Sequence, residues 1–211
     1  MNQIFSIDNR FIQLLNKIFC AAWLNILWFL CCIPVFTIGA STTALYYVSF
    51  KLVRNEEGNI TKQFFTAFRS NFKKATLIWL PLLGLGILFG IDGYVLYNIR
   101  LENVFWTLCG AVLICAGVVY LIVLLNVFPL FARFENTIPA TFKNALVMGL
   151  RYLFCSILMA VVYFVIYYVI INIFTPFVVF GQGLGALICS WLILPILERL
   201  ENNKDDVLWK H

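Results

Sequence analysis

Cys31-Cys32-Ile33-Pro34-Val35-Phe36-Thr37-Ile38-Gly39-Ala40-Ser41-Thr42-Thr43-Ala44 joins two apolar runs through a short break. Proline has no N–H to give a helix and pushes the residue before it out of helical geometry, so Pro34 stops a helix that arrives there. From Gly39 onward the small and hydroxyl residues let a second helix return close against the first. The stretch reads as the tip of a helical hairpin in a membrane.

Its surroundings agree. The 211 residues are 63% hydrophobic and 12% charged, with mean hydropathy +0.93, whereas a soluble domain carries about 25% charged residues. This predicts an integral membrane protein in which residues 1–211 form one domain. Asp8, Arg10 and Lys17 precede the first apolar run and no small-residue cleavage site follows, so a cleavable signal peptide is not expected.

Working outward, residues 1–17 form an amphipathic lead-in, with Phe11, Leu14, Leu15 and Ile18 at helical spacing. Apolar spans follow at about 18–38, 40–53, 75–97, 104–131, 152–173 and 177–197. The second is shorter than the ~20 residues a straight crossing needs; it either crosses with Arg54 snorkelling or is re-entrant. Residues 54–74 are basic and carry Phe64, Phe65, Phe68 and Phe72 as a stripe, which predicts a separate interfacial helix on the cytoplasmic side with its apolar face in the lipid or against the bundle. A second basic stretch covers 133–151, and 198–211 is a polar cytoplasmic tail.

With six spans and both ends inside, fourteen of the fifteen lysines and arginines lie on the cytoplasmic side and only Arg100 lies outside. The expected fold is therefore all-α: a polytopic membrane bundle of about six transmembrane helices in three hairpins, both termini cytoplasmic.

The inner ends of two spans repeat a pattern, P-x-x-x-R-x-E, at Pro129–Glu135 and Pro195–Glu201. Arg54-Asn55-Glu56 repeats its second half. Internal repeats are common in transporter folds. If the repeat is structural, Arg54, Arg133 and Arg199 form an inner ring paired with Glu56, Glu135 and Glu201. Gly86-x-x-x-Gly90 and Gly181-x-x-x-Gly185, with Gly39 in the second span, allow close helix approach. The spacing serves packing within the chain or contact with another membrane protein. Gly39, Gly86, Gly90, Gly181 and Gly185, with Phe64, Phe68 and Phe72, are the partner-interface candidates.

Catalytic signatures are not found. The chain lacks a phosphate-binding glycine loop and a dinucleotide fingerprint. Its single histidine is His211, and its seven cysteines lie in apolar runs without a C-x-x-C pair, so neither a metal site nor a cofactor is expected. Nothing points to an enzyme. Polar residues at membrane depth invite a functional reading: Asn25, Asn126, Asn172 and Gln182 serve interhelical hydrogen bonds or line a small polar path. Positive-inside topology accounts for the basic surplus, so anionic lipid rather than nucleic acid is the expected partner.

Pro34–Ala40, Ala44–Tyr47, Glu56–Gly58 and Phe65–Lys73 resemble successive signatures of the YesL family of bacterial membrane proteins: a P-x-x-T-I-G-A turn, an A-L-Y-Y helix, an E-x-G loop and an F-x-x-F-[KR]-x-N-F-[KR] stretch. A weaker likeness continues at Pro129–Phe134. The family has no settled activity to transfer. The resemblance implies a multi-pass protein of the bacterial cytoplasmic membrane, often encoded beside ATP-binding-cassette oligosaccharide importers. It thereby implies a non-catalytic accessory or regulatory subunit that binds the importer's permease subunits. The chain lacks the E-A-A-type loop by which permeases dock on their ATPases, so it is not expected to be the permease. The alternative is a stand-alone small-solute transporter or channel lined by Asn25, Asn126 and Asn172.

Overall fold

Helix α1 (Asn2–Cys31) stops three residues before Pro34. A 3-10 turn at Val35–Thr37 then feeds α2 (Ile38–Val53). Thr37 holds the turn, its hydroxyl donating to the carbonyls of Cys31 and Pro34. The computed structural model describes residues 2–56, 58–98, 104–134, 136–173, 175 and 178–202, leaving aside the side chains of 2–11, 97, 179 and 202. Glu135, Arg100, Pro176 and the tail from residue 203 lie outside the described residues. The remaining helices are α3 (Ile60–Asn98), α4 (Val104–Arg133), α5 (Ile138–Arg151), α6 (Leu153–Asn172) and α7 (Val178–Asn202). Among the described residues there is no strand.

Five of these helices are long and apolar enough to cross a membrane: α1 from Ile12, most of α3, α4, α6, and α7 from Phe180. The chain is thus multi-pass and all-helical. The expected second span is α2, whose 16 residues rise about 24 Å at 1.5 Å per residue, against a hydrocarbon core of about 30 Å. It lies in the middle of the protein, buried from Gly39 to Phe50 except at Tyr47. That position explains its composition: Gly39, Ala40, Ser41, Thr42, Thr43 and Ala44 leave room for neighbours on every side.

Two expected boundaries are corrected. Residues 54–74 are not a separate interfacial helix, because α3 runs unbroken from Ile60 to Asn98. The charges fall off after Lys74 but the inward stripe does not: buried Phe64 and Ala67, half-buried Asn71, and buried Ala75, Ile78 and Leu82 follow one another at three- and four-residue steps across the junction. The lead-in 1–17 is likewise continuous with the first span as α1. The second basic stretch does form its own helix, α5, opening with Pro139 in its first turn, where its missing N–H costs nothing.

Packing places α2 against α3, α4 and α7, while α1 and α6 flank α7. Trp28 Nε1 donates to Thr42 Oγ1 at 3.1 Å across the first hairpin. Trp79 Nε1 donates to the Val35 carbonyl at 2.9 Å, so the hairpin tip stands beside Trp79 of α3. From there α3 continues to Asn98, roughly 28 Å further at helical rise. Tyr120 of α4 packs beside it, its hydroxyl donating to the Leu82 carbonyl at 3.0 Å. Described side chains at 83–96 and 104–125 are exposed or half-buried, never buried.

Candidate functional site

The helices returning to the basic end of the molecule, α2, α4 and α7, finish together. Arg54, just past α2, gives Nε and Nη2 to Glu198 Oε1 at 3.0 and 2.7 Å. Its Nη1 lies 3.6 Å from Glu56 Oε1. Arg133, the last residue of α4, gives Nη2 to Glu201 Oε2 at 2.6 Å. Both carboxylates therefore come from the last turns of α7, and both arginines come from other helices.

Helix electrostatics accounts for this exchange. The C-terminal end of a helix carries partial negative charge, which favours arginine at the ends of α2 and α4 and disfavours glutamate at the end of α7. Arg199 does not relieve its neighbours, because side chains one or two residues apart on a helix do not face each other. Glu198 and Glu201, three apart, share a face and meet the two arginines.

The expected inner ring is thus assembled in part: Arg54 meets its expected partner Glu56 and also Glu198, whereas Arg133 pairs with Glu201. Arg54, Glu56, Arg133 and Glu201 come together, Arg199 is exposed outside the pairing just described, and Glu135 lies outside the described residues. Glu198, which the R-x-E pattern passed over, is the carboxylate that holds Arg54. Its signal was present: it precedes Arg199 on the same turn as Glu201. Around these pairs the surface is cleft. A space of about 170 Å³ is lined by Tyr47, Phe50, Lys51, Arg54, Glu56 and Arg133. A larger one of about 600 Å³ lies between Gln13, Asn16, Lys17, Asn55, Glu56 and Gln63. Asn55 turns the chain between them at φ 56°, a left-handed conformation that asparagine tolerates better than most residues.

The glycine candidates fall into two groups, and the expectation of an outward glycine face is corrected for four of them. A Cβ on Gly39 would stand 2.5 Å from Trp79 Cβ and 2.7 Å from the Ala75 carbonyl. One on Gly86 would stand 2.7 Å from the Tyr120 hydroxyl. Gly181 and Gly185 face Ile170, Ile166 and Tyr163 of α6. These are contacts within the chain. Gly90 alone of the five has open space beside it. Of the two placements open to the phenylalanine stripe, these side chains take the one against the bundle: Phe64 is fully buried, and Phe68 and Phe72 pack partly buried against the core.

Gly183 was missed, and it marks the closest approach of one helix to another among the described glycines. It lies two residues from Gly181 and from Gly185, on the opposite side of α7, where a Cβ would stand 2.1 Å from the Ala21 carbonyl oxygen. The run Gly181-x-Gly183-x-Gly185 thins α7 on both sides, toward α6 and toward α1. Asn25 uses this proximity. It accepts from the Gly183 N–H at 2.9 Å and donates to the Val178 carbonyl at 3.0 Å. Asn126 is also held inside, donating to Ser156 Oγ at 2.9 Å and to the Ile122 carbonyl at 2.8 Å. Asn172 is exposed and donates to the Tyr168 carbonyl, while Gln182 accepts from the Tyr167 hydroxyl. In the centre the Tyr46 and Tyr163 hydroxyls meet at 2.9 Å, tying α2 to α6.

Residues 21–93 match a family model described as a protein of unknown function, DUF624. The match runs from α1 through the hairpin tip and α2 into the far half of α3, and so includes Arg54, Glu56 and the α2–α3 packing. No curated protein and no solved structure matches the chain.

Proposed function

We propose that the chain is a non-catalytic subunit of an ATP-binding-cassette importer for oligosaccharides in a bacterial cytoplasmic membrane, akin to YesL-type proteins. It binds the importer's transmembrane subunits and adjusts their assembly or activity. The observation that carries this reading is the far half of the α3–α4 hairpin. Gly84, Gly90, Gly93 and Gly117 have nothing within 4 Å of an added Cβ. Around them Leu85, Ile87, Leu88, Ile91, Val112 and Ile114 are exposed. Small residues among apolar ones let a foreign helix approach closely where lipid offers little packing.

A stand-alone path is the weaker reading because two of its three expected lining residues are consumed. Asn25 and Asn126 satisfy backbone and side-chain partners on neighbouring helices, and Asn172 bonds its own helix.

The test is recovery of the tagged protein from its host's membranes in mild detergent, followed by mass spectrometry. Stoichiometric importer permeases, lost on Gly90→Leu in a protein that still folds, support the proposal. Recovery of the chain alone, with transport of a sugar by reconstituted vesicles, overturns it.

A further inference from the structure

We propose that two joined clefts at the basic end of α3 bind the phosphate of an anionic phospholipid. The first, about 490 Å³, lies between α3 and the end of α4 and is lined by Tyr47, Thr66, Ser70, Asn71, Lys74 and Arg133. The second, also about 490 Å³, continues round α3 and adds Arg69 and Lys73. They share Ser70 and Lys74. Together they present four cations with hydroxyl and amide donors, and no carboxylate lines either one among the described residues. Arg133 spends Nη2 on Glu201, and a guanidinium has five N–H donors in a planar fork suited to phosphate oxygens.

Three features favour a lipid over a soluble phosphate. First, the walls are aromatic as well as basic: Phe68 and Phe72 flank one cleft, Phe131 and Phe134 the other. Such walls suit the glycerol and upper acyl chain. Second, Lys74 is the last charge on α3 before the uncharged run to Asp92, and Arg133 is the first charge after the uncharged run of α4. Both helices thus change from charged to apolar at this cleft, the depth at which lipid phosphates lie in a bilayer. Third, Leu77 and Leu80, one and two turns beyond Lys73 on its own face, are 54% and 46% exposed, an open apolar track for an acyl chain. General attraction of basic residues to the inner leaflet would not distinguish these cations from others on the same side. The proposal does: Arg69, Lys73, Lys74 and Arg133 hold the headgroup, whereas Lys62 and Lys143 line neither cleft.

The experiment places the whole protein in phosphatidylcholine bilayers with and without phosphatidylglycerol and counts retained phosphatidylglycerol by native mass spectrometry. Wild type is expected to retain one phosphatidylglycerol selectively. Arg69→Gln with Lys74→Gln is expected to weaken retention roughly fivefold for each cation removed, taking the usual worth of one basic residue at an anionic surface. Lys62→Gln with Lys143→Gln, which removes equal charge elsewhere, is expected to leave it unchanged. Arg69, Lys74, Lys62 and Lys143 are all exposed, and an unchanged melting temperature confirms folding of each variant. Equal losses in both double variants overturn the proposal, as does retention without selectivity. Competition by inorganic phosphate that empties the cleft while lipid is in excess overturns the lipid assignment in favour of a soluble phosphate.

Discussion

The two ends of α3 differ in composition and live in different surroundings. Its first half is wedged against α2, with Phe64, Ala75 and Ile78 fully buried. Beside its second half stands Tyr120 of α4, and among its described side chains from residue 83 onward none is buried. Both halves contain phenylalanine and leucine, but Gly84, Gly86, Gly90 and Gly93 all lie in the second half, and Lys62, Arg69, Lys73 and Lys74 all lie in the first. Hydropathy measures transfer out of water, so it separates the charged start of α3 from its apolar remainder, but it does not separate apolar side chains packed on protein from those left open. What separates them is hydrogen bonding and close approach. The packed region carries Asn25, Asn126, Trp28 and the Tyr46–Tyr163 pair, each tied to another helix. The far hairpin carries Tyr120 at its base and glycines with open sides beyond.

The sharpest way to break this contrast is Gly183→Ala. In an open helix that change stabilises by about 1 kcal/mol. Here the new methyl would meet backbone, the Ala21 carbonyl, which has no rotamer to turn away. We expect a net loss of roughly 3 kcal/mol as α1 separates from α7 and Asn25 loses its partners, at the upper end of overpacking costs. Thermal unfolding in detergent checks it; an unchanged midpoint would mean that the α1–α7 contact is loose. A smaller loss is expected from Asn126→Ala. The Asn126 side chain is buried and bonds Ser156. Interhelical bonds in membranes average about 0.6 kcal/mol and reach about 1.7, so with its small cavity the variant should lose about 1–2 kcal/mol by the same measurement.

These two residues also show what the sequence can and cannot say. The hairpin tip was legible because Pro34 must stop a helix and Gly39 must permit a close return. The long helices were legible because their apolar runs exceed a bilayer's thickness. The boundary near residue 74 was misread because charge and helical stripe change at different places, and only the stripe decides continuity. Gly181 and Gly185 stood out by four-residue spacing, yet that rule passes over Gly183, which needs a second neighbour on the other side of α7. The same rule selected Gly90, which meets nothing. The arginines and glutamates were legible as a group and only in part as pairs. Local sequence suggests Arg-x-Glu partners: Arg54 and Glu56 meet just past the end of α2, whereas helical geometry turns Arg199 and Glu201 apart.

The ion pairs at the basic end test that last point at a smaller energy. Arg54 and its carboxylates are partly exposed, at 27%, 44% and 48%. Pairs of this kind contribute about 0–1 kcal/mol and are screened by salt. Arg54→Gln should therefore lower the unfolding midpoint slightly at low ionic strength and hardly at all in molar salt. Adding Glu198→Gln should cost little more, since the partner is already gone. A large, salt-independent loss from Arg54→Gln would show that the residue supports the bundle by packing rather than by charge.

The smallest effect expected on the isolated protein is the most informative about its role. Gly90→Ala places a methyl in open space, so stability should stay level or rise slightly through helix propensity. The midpoint then serves as a control for a second measurement on Gly90→Leu. If the far hairpin faces only lipid, the leucine is one more apolar side chain among Ile87, Leu88 and Ile91, and neither folding nor association changes. If a partner helix lies there, the leucine holds the two backbones apart and association falls while the midpoint holds. Gly183 and Gly90 thus divide the glycines by consequence, one for the fold and one for the company the fold keeps.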